Sequence, residues 1–426
     1  MDENRDNGKR NKILNLLFGG DKALWVVVIA LLIISVFVSY SSMAYKESIS
    51  STAQLINQLK LVGLGLVACY LVQLFKYQTY RRWTKFFFWI ALGLTIYMLV
   101  AGDVVHGTTV RRNITIFGFS FQPFEMLKIT IVLMLADALS RRHKIIDKES
   151  MVPSLSISEW RTNKEKNLDI LFKHTLPLLL PVILSCLVTI RTSNSTTAII
   201  VMVCGIMLFL GRMQKKDLGK LVILGSIVLA IILIFMGGRT DTGQSRIAKF
   251  EGNMLVAYED PDRPGFYHNP NEMPQSMHAK QAVAAGKIIG RGPGMSTHRS
   301  VLEEAESDMA YSFLIEEYGL IGGLVVLLLY LTLFYRAIEI FKRCGTAFPS
   351  LMVLGLAMMI TCQAIIHMMV SVSLMPITGQ QLPLISNGGS SLIFTMASLG
   401  MILKVSRQVE EKTIDASKDE TMFEKQ

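Results

Sequence analysis

Ten stretches of the chain are apolar and close to the length of a bilayer span: 24–42, 59–76, 86–102, 122–139, 174–191, 196–211, 218–236, 311–335, 350–373 and 388–406. A spanning helix needs roughly 20 predominantly apolar residues. Inside hydrocarbon every backbone polar group must be paired internally, which a helix does within its own segment. The pattern therefore predicts an all-α polytopic membrane protein of about ten transmembrane helices. The first stretch does not read as a cleaved signal, because no small-residue cleavage site follows it and the chain runs on into further spans.

The polar segments between the spans set the topology. Lys9, Arg10 and Lys12 precede the first span, and Lys76, Arg81, Arg82 and Lys85 fall between the second and third. Arg141, Arg142, Lys144, Lys148 and Lys173 lie between the fourth and fifth, Arg212, Lys215, Lys216 and Lys220 follow the sixth, and Arg336, Lys342 and Arg343 follow the eighth. Basic residues concentrate on cytoplasmic loops, so these segments and both termini are expected inside. Arg111 and Arg112 break that rule on the outer side. The expected organisation is a cytoplasmic tail over 1–22, a membrane domain over 23–407 and a cytoplasmic tail over 408–426. A large extracytoplasmic loop, 237–310, precedes the eighth helix. Its Gly-, Pro-, Asn- and Asp-rich part argues for irregular structure. Helical spacing over Met277–Ile289 predicts a short helix along the membrane surface, and the polar segment 140–173 is expected to be partly helical.

Composition agrees with this class: 51% hydrophobic residues, 18% charged and a mean hydropathy of +0.41. The net charge of +10 is a topology signal and an attraction to anionic lipid. No nucleic-acid motif accompanies it. Cys69, Cys186, Cys204, Cys344 and Cys362 have neither metal spacing nor a place in an outer loop, so they read as small packing residues. The seven histidines form no H-x-x-x-H pair, and no metal ligand set is assigned.

Ionisable groups inside spans are expensive and are functional suspects. The fourth span opens with Gln122-Pro123-Phe124-Glu125-Met126-Leu127-Lys128. Glu125 and Lys128, three apart, share a helix face. They read either as a buried pair or as the polar wall of a cavity, with Lys128 toward an anionic headgroup. Asp137 and His367 read as structural. Glu316 and Glu317 read as helix partners or catalytic groups, and Arg191 as a snorkelling side chain or a phosphate contact. Gly290-Arg291-Gly292-Pro293-Gly294 is either a turn or a flexible cradle for a diphosphate. Two segments exceed what span packing requires. One is the acidic Leu302–Asp308, set against the eighth span; the other is the polar Gly/Ser loop Pro376–Ser391, between the last two spans.

At these residues the chain resembles the SEDS family, to which FtsW and RodA belong. Gln122 to Lys128 follows the family's Q-P-S-E-x-x-K with Phe124 for serine, and Gly290 to Ser296 follows its small-residue loop. Asp308, followed by Glu316-Glu317-Tyr318-Gly319, matches the family's entry to the eighth span. Pro376 to Ser391 matches P-x-T-G-x-x-L-P-F-I-S-Y-G-G-S-S, with Leu384 and Asn387 for the aromatics. The start of the chain, from Gly19 to Ser42, looks more like the division branch than the elongation branch. Two motifs depart: the family's P-D-L-G-T reads Ser193-Asn194-Ser195-Thr196-Thr197, and its R-R-W reads Arg111-Arg112-Asn113.

The resemblance implies an inverting peptidoglycan glycosyltransferase that joins lipid II units on the outer face of the bacterial cytoplasmic membrane, at the septum. Its substrates would be lipid II and the growing glycan on undecaprenyl diphosphate. A sugar hydroxyl needs a base, for which Asp308 is the candidate. Lys128, Arg191, Arg246 and Arg291 are candidates to meet the diphosphate, and Glu125 is a further candidate substrate-binding residue. Ser386, Asn387, Ser390 and Ser391 are candidates to bond sugar or peptide, or to cap a helix. No cofactor is assigned, although a divalent cation (Mg or Mn) would suit the diphosphate. The implied partners are a class B penicillin-binding protein and other divisome membrane proteins. A lipid II flippase and a non-catalytic divisome scaffold are the competing readings.

Overall fold

The computed structural model describes residues 19–42, 51–104, 111–116, 119–142, 146, 150–154, 156–223, 225, 259–260, 263–267, 275–297, 307–375 and 378–423. Three helices come first: α1 (Lys22–Ser42), α2 (Ser51–Leu74) and α3 (Tyr77–Ala101). Short strands β1 (Asp103–Val104), β2 (Arg111–Ile116) and β3 (Phe119–Phe121) lead into α4 (Pro123–Arg142). Then come α5 (Ile157–Thr162), α6 (Lys164–Ile170), a π-helical turn (Leu171–Thr175), α7 (Leu176–Thr189) and α8 (Asn194–Leu210). Strands β4 (Glu259–Asp260) and β5 (Arg263–Tyr267) precede α9 (Gln275–Gly286), and α10 (Ala310–Arg343), α11 (Ala347–Ser371) and α12 (Ser390–Phe423) close the chain.

Among the described residues, seven helical stretches are long and apolar enough to cross a membrane: Lys22–Ser41, Leu55–Leu74, Tyr77–Ala101, Lys164–Thr189 (α6, the π-helical turn and α7 in continuous succession), Ala310–Arg343, Ala347–Ser371 and Ser390–Glu411. The protein is thus a mostly helical, polytopic membrane protein. Asn194–Leu210 is apolar but shorter. The span expected at 122–139 forms as α4, whose charged residues include Glu125, Arg141 and Arg142. That expected at 218–236 lies largely outside the described residues.

Local chemistry sets the helix ends. Asp21 caps α1, its Oδ1 accepting from the Leu24 N–H at 3.1 Å. The same carboxylate holds Arg336 of α10 at 2.7 Å, so Asp21 is part of the packed bundle and not of the tail expected over 1–22. Pro123 opens α4, where its missing N–H is no loss. Glu125 in the first turn and Arg141 and Arg142 in the last complement the helix dipole. At the other terminus, α12 runs past residue 407 to Phe423, into the segment expected as the cytoplasmic tail.

The core centres on α11 and α4. The α11 window is 78% buried, the highest share among the seven, and α4 packs against α3, α7, α8, α11 and α12. Helices α2 and α12 approach closely at small residues, as membrane helices do. A Cβ on Gly400 would stand 2.5 Å from the Cys69 carbonyl oxygen. Asp137, read as structural, receives Arg81 at 2.7 Å and Arg141 at 2.9 Å.

The expectation of an all-α chain needs one correction. Among the described residues β4 pairs with β5, and β1, β2 and β3 form an antiparallel sheet in that order, with Ile114 opposite Phe121 and Thr115 opposite Ser120. Isoleucine, threonine and phenylalanine favour strands. The run is too short to cross a bilayer, so hydropathy passes over it.

Helix α9 docks on α10, with Ala279 and Ala282 fully buried; the surface helix expected over 277–289 therefore covers protein. The chain after it enters a break in α10 at Gly319 (φ 72°, ψ −176°). The break frees the Glu316 and Glu317 carbonyls, which accept from the Arg291 and Gly292 N–H groups at 3.0 Å each. Beyond it, Leu320 and Ile321 donate to the Lys287 and Ile288 carbonyls. The break is thus a short backbone exchange, and every freed group named here is paired. A Cβ on Gly319 would lie 2.2 Å from the Ile288 oxygen, and positive φ disfavours a side chain there. Gly319→Ala is expected to destabilise the protein by roughly 2–3 kcal/mol. Thermal unfolding and proteolysis within 287–297 measure this; an unchanged midpoint with an intact loop would refute it.

Candidate active site

One end of the bundle gathers the segments that the sequence singles out. Asp308 stands two residues before α10, half-buried, and accepts from the Ser307 hydroxyl at 3.2 Å. It lines a cavity of about 240 Å³ together with Arg112, Asn113, Gln122, Phe124, Glu125, Ser307 and Gly379-Gln380-Gln381. The wall is thus drawn from β2, the start of α4, the acidic turn and the loop before α12.

Glu125 and Lys128 form a buried ion pair at 2.8 Å, with side-chain exposures of 7% and 2%. Lys128 also donates to Gln363 Oε1 of α11 at 2.6 Å. The cationic end is therefore buried between two acceptors, while Glu125 reaches the cavity wall. Arg112 is the guanidinium in that wall. It packs on Gly379, where a Cβ would lie 2.5 Å from Nη1 and φ is +65°. Sequence reasoning passed over Arg112, although its breach of the charge rule was the signal that could have found it. Asn113, in place of the family's tryptophan, adds an amide to the same wall.

The loop before α12 is held from several sides. Gln380 donates to Ser193 Oγ at 3.1 Å and Thr196 Oγ1 at 2.9 Å, and the Thr378 carbonyl accepts from Ser195 at 3.2 Å. The departing motif 193–197 is thus the loop's seat, while Asn194 is exposed. Tyr330 donates to the Pro383 carbonyl and Ser35 to that of Ile385 at 3.1 Å. These anchors fix Leu384 at φ +68°, a left-handed conformation that bulky residues rarely adopt.

The candidate serines divide by position. Ser386 is 3% exposed; it accepts from the Leu382 N–H and donates to the Ser307 carbonyl, each at 2.8 Å. It therefore ties the loop to the acidic turn. Ser390 accepts from the Gln122 N–H at 2.9 Å and joins α12 to α4. Ser391 is buried one position into α12, and Asn387 is partly exposed. None of the four lines the cavity.

Of the candidate cations, Arg191 is exposed at the α7–α8 turn. Arg291 donates to Thr297 Oγ1 at 2.6 Å and stands 3.8 Å from Glu316. Arg246 lies outside the described residues, as do Glu303, Glu304 and Glu306. The Gly290–Ser296 segment folds around two buried carboxylates. Gly294 N–H donates to Glu317 Oε1 at 2.9 Å and Thr297 N–H to Glu316 Oε1 at 3.0 Å, while Ser41 of α1 donates to Glu317. Glu316 and Glu317 thus act as loop anchors in this structure, and the N–H groups of Arg291, Gly292 and Gly294 already have acceptors. The five cysteines are free thiols.

The FtsW/RodA/SpoVE model, described as cell cycle protein, matches residues 21–411. The chain belongs to this family. A stage V sporulation protein E of Bacillus subtilis is 29% identical over 392 residues, covering 91% of this chain and 97% of that relative. A probable peptidoglycan glycosyltransferase FtsW of Hydrogenovibrio crunogenus is 29% identical over 392 residues, 90% of each chain. The Escherichia coli peptidoglycan glycosyltransferase MrdB is 26% identical over 388 residues, 90% of this chain and 93% of that one. Among solved structures, a chain from a peptidoglycan synthase complex superposes with a TM-score of 0.64 at 23% identity, covering 92% of this chain and 98% of that chain. The Thermus thermophilus rod shape determining protein RodA gives 0.57 at 22%, with 91% and 97% covered. The FtsW/RodA/SpoVE fold therefore extends over nearly the whole chain, and Asp308 lines the polar cavity within it.

Proposed function

We propose that this protein is a peptidoglycan glycosyltransferase that polymerises lipid II during septal wall synthesis, with Asp308 as general base. The observation that carries the reading is the polar cavity where Asp308, Arg112 and Glu125 converge. Two of the relatives described above are named for this activity. The alternation of basic segments supports ten spans, termini inside and the cavity end outside.

In the proposed reaction, an acceptor sugar hydroxyl attacks the anomeric carbon of the lipid-linked donor. The new C–O bond forms as the bond to the diphosphate breaks, and the electron pair leaves on the diphosphate oxygen. The hydroxyl proton passes to the Asp308 carboxylate. Attack opposite the leaving group inverts the centre and gives a β-1,4 bond. Charge grows on the leaving diphosphate, and a fixed cation at the wall stabilises it; Arg112 holds that role here, because it lines the cavity while Lys128 is enclosed by Glu125 and Gln363. Among the described residues no three His, Cys, Asp or Glu converge as a metal site. A class B penicillin-binding protein, the expected partner, would crosslink the product.

The test is purified protein with labelled lipid II, with and without that partner. Polymer formation supports the reading. Movement of lipid II across vesicles without polymer replaces it with a flippase, and neither activity leaves a scaffold.

A further inference from the structure

The loop wall of the cavity hangs on two side chains of α11 that no motif singled out. Gln363 and His367 lie one helical turn apart, on the same face. Gln363 Nε2 donates to the Gln381 carbonyl at 3.0 Å. His367 Nδ1 lies 2.6 Å from the Gln380 carbonyl. Two neighbouring side chains thus hold two consecutive carbonyls. Among the described residues no backbone N–H takes either carbonyl.

The chemistry fixes both orientations. A lysine ammonium only donates, so the Gln363 oxygen must face Lys128 and its nitrogen must face the loop. A carbonyl only accepts, so His367 must carry its hydrogen on Nδ1. His367 Nε2 is buried with no partner among the described residues, so the ring is held by its Nδ1 side alone. Through Gln363 the loop is also joined to the Glu125–Lys128 pair, across three segments far apart in sequence.

We propose that Gln363 and His367 are positioning residues: a two-point clamp that sets the 379–381 wall opposite Asp308. Neither lines the cavity. They act through the loop backbone, whose misplacement by about 1 Å can lower a rate by about 10²-fold. The proposal rests on the glycosyltransferase reading for its rate effect but not for its structural effect.

The experiment uses the full chain with its transpeptidase partner and labelled lipid II, and reads polymerisation rate and hydrogen exchange over 379–386. His367→Leu fills the space without a donor. His367→Asn places an amide N–H near the position of Nδ1. The leucine variant is expected to lose at least tenfold in rate and to exchange at least tenfold faster over the loop. The asparagine variant is expected to retain at least a third of the wild-type rate and near wild-type exchange. Gln363→Met, of similar length with no donor, is expected to follow leucine. Wild-type rate and exchange in His367→Leu would overturn the clamp, as would an asparagine variant as impaired as leucine. If wild-type protein makes no polymer, the glycosyltransferase reading fails while hydrogen exchange still decides the clamp.

Discussion

Asp308→Asn is expected to lower polymerisation at least a hundredfold while leaving the fold intact. General-base catalysis contributes typically 10²–10⁴-fold, and an amide of the same shape cannot take up the hydroxyl proton. The side chain is half-buried, and its one described hydrogen bond is from the adjacent Ser307 hydroxyl at 3.2 Å. Asparagine keeps an oxygen for that contact, so a large structural penalty is not expected. The measurement is initial polymerisation rate at saturating lipid II, with thermal unfolding as the control. A variant that polymerises at the wild-type rate would refute Asp308 as the base. If the variant also unfolds early, Asp308→Glu, which keeps the carboxylate, should recover part of the rate.

The second large effect is on stability. Lys128→Met should destabilise the protein by about 3–5 kcal/mol, because removing one member of a buried pair leaves the other charge uncompensated. Glu125 would remain about 7% exposed with its cation gone, and Gln363 would lose the donor at its oxygen. Changing both members, Lys128→Met with Glu125→Gln, should restore most of the loss, since no bare charge remains. Thermal or denaturant unfolding in a fixed detergent reads both variants. A single variant as stable as wild type, or a double variant worse than the single, would contradict this account.

Asp308 and the Glu125–Lys128 pair were visible in the chain because each breaks a strong local expectation: acids at a membrane mouth, and charge inside an apolar run. Arg112 also broke a rule, but topology alone gave it no partner. Asn113, Gln122, Gln380 and Gln381 lie in segments that the motifs mark, yet nothing in the chain assigned a role to any of them. They are ordinary polar residues in connecting segments, and only folding brings β2, the α4 start and the loop before α12 around one cavity. The glycine segment 290–294 shows the converse. Its composition suits an anion, yet its N–H groups meet Glu316 and Glu317, because the break at Gly319 opens the helix beside it. Ser386 and Ser390 likewise suit a sugar by type, while the fold uses them to join distant segments.

By itself the sequence determined that this protein lives in a membrane as a helical bundle, and that an acid stands at the mouth of one span. Hydrocarbon allows few backbone solutions, so length and hydropathy suffice for the first, and the cost of charge near lipid marks the second. The tertiary structure alone decided which polar side chains share the cavity with that acid and which are held in buried bonds. Those pairings join residues tens to hundreds of positions apart, as Gln363 does with Lys128, and depend on how the helices cross rather than on any local pattern.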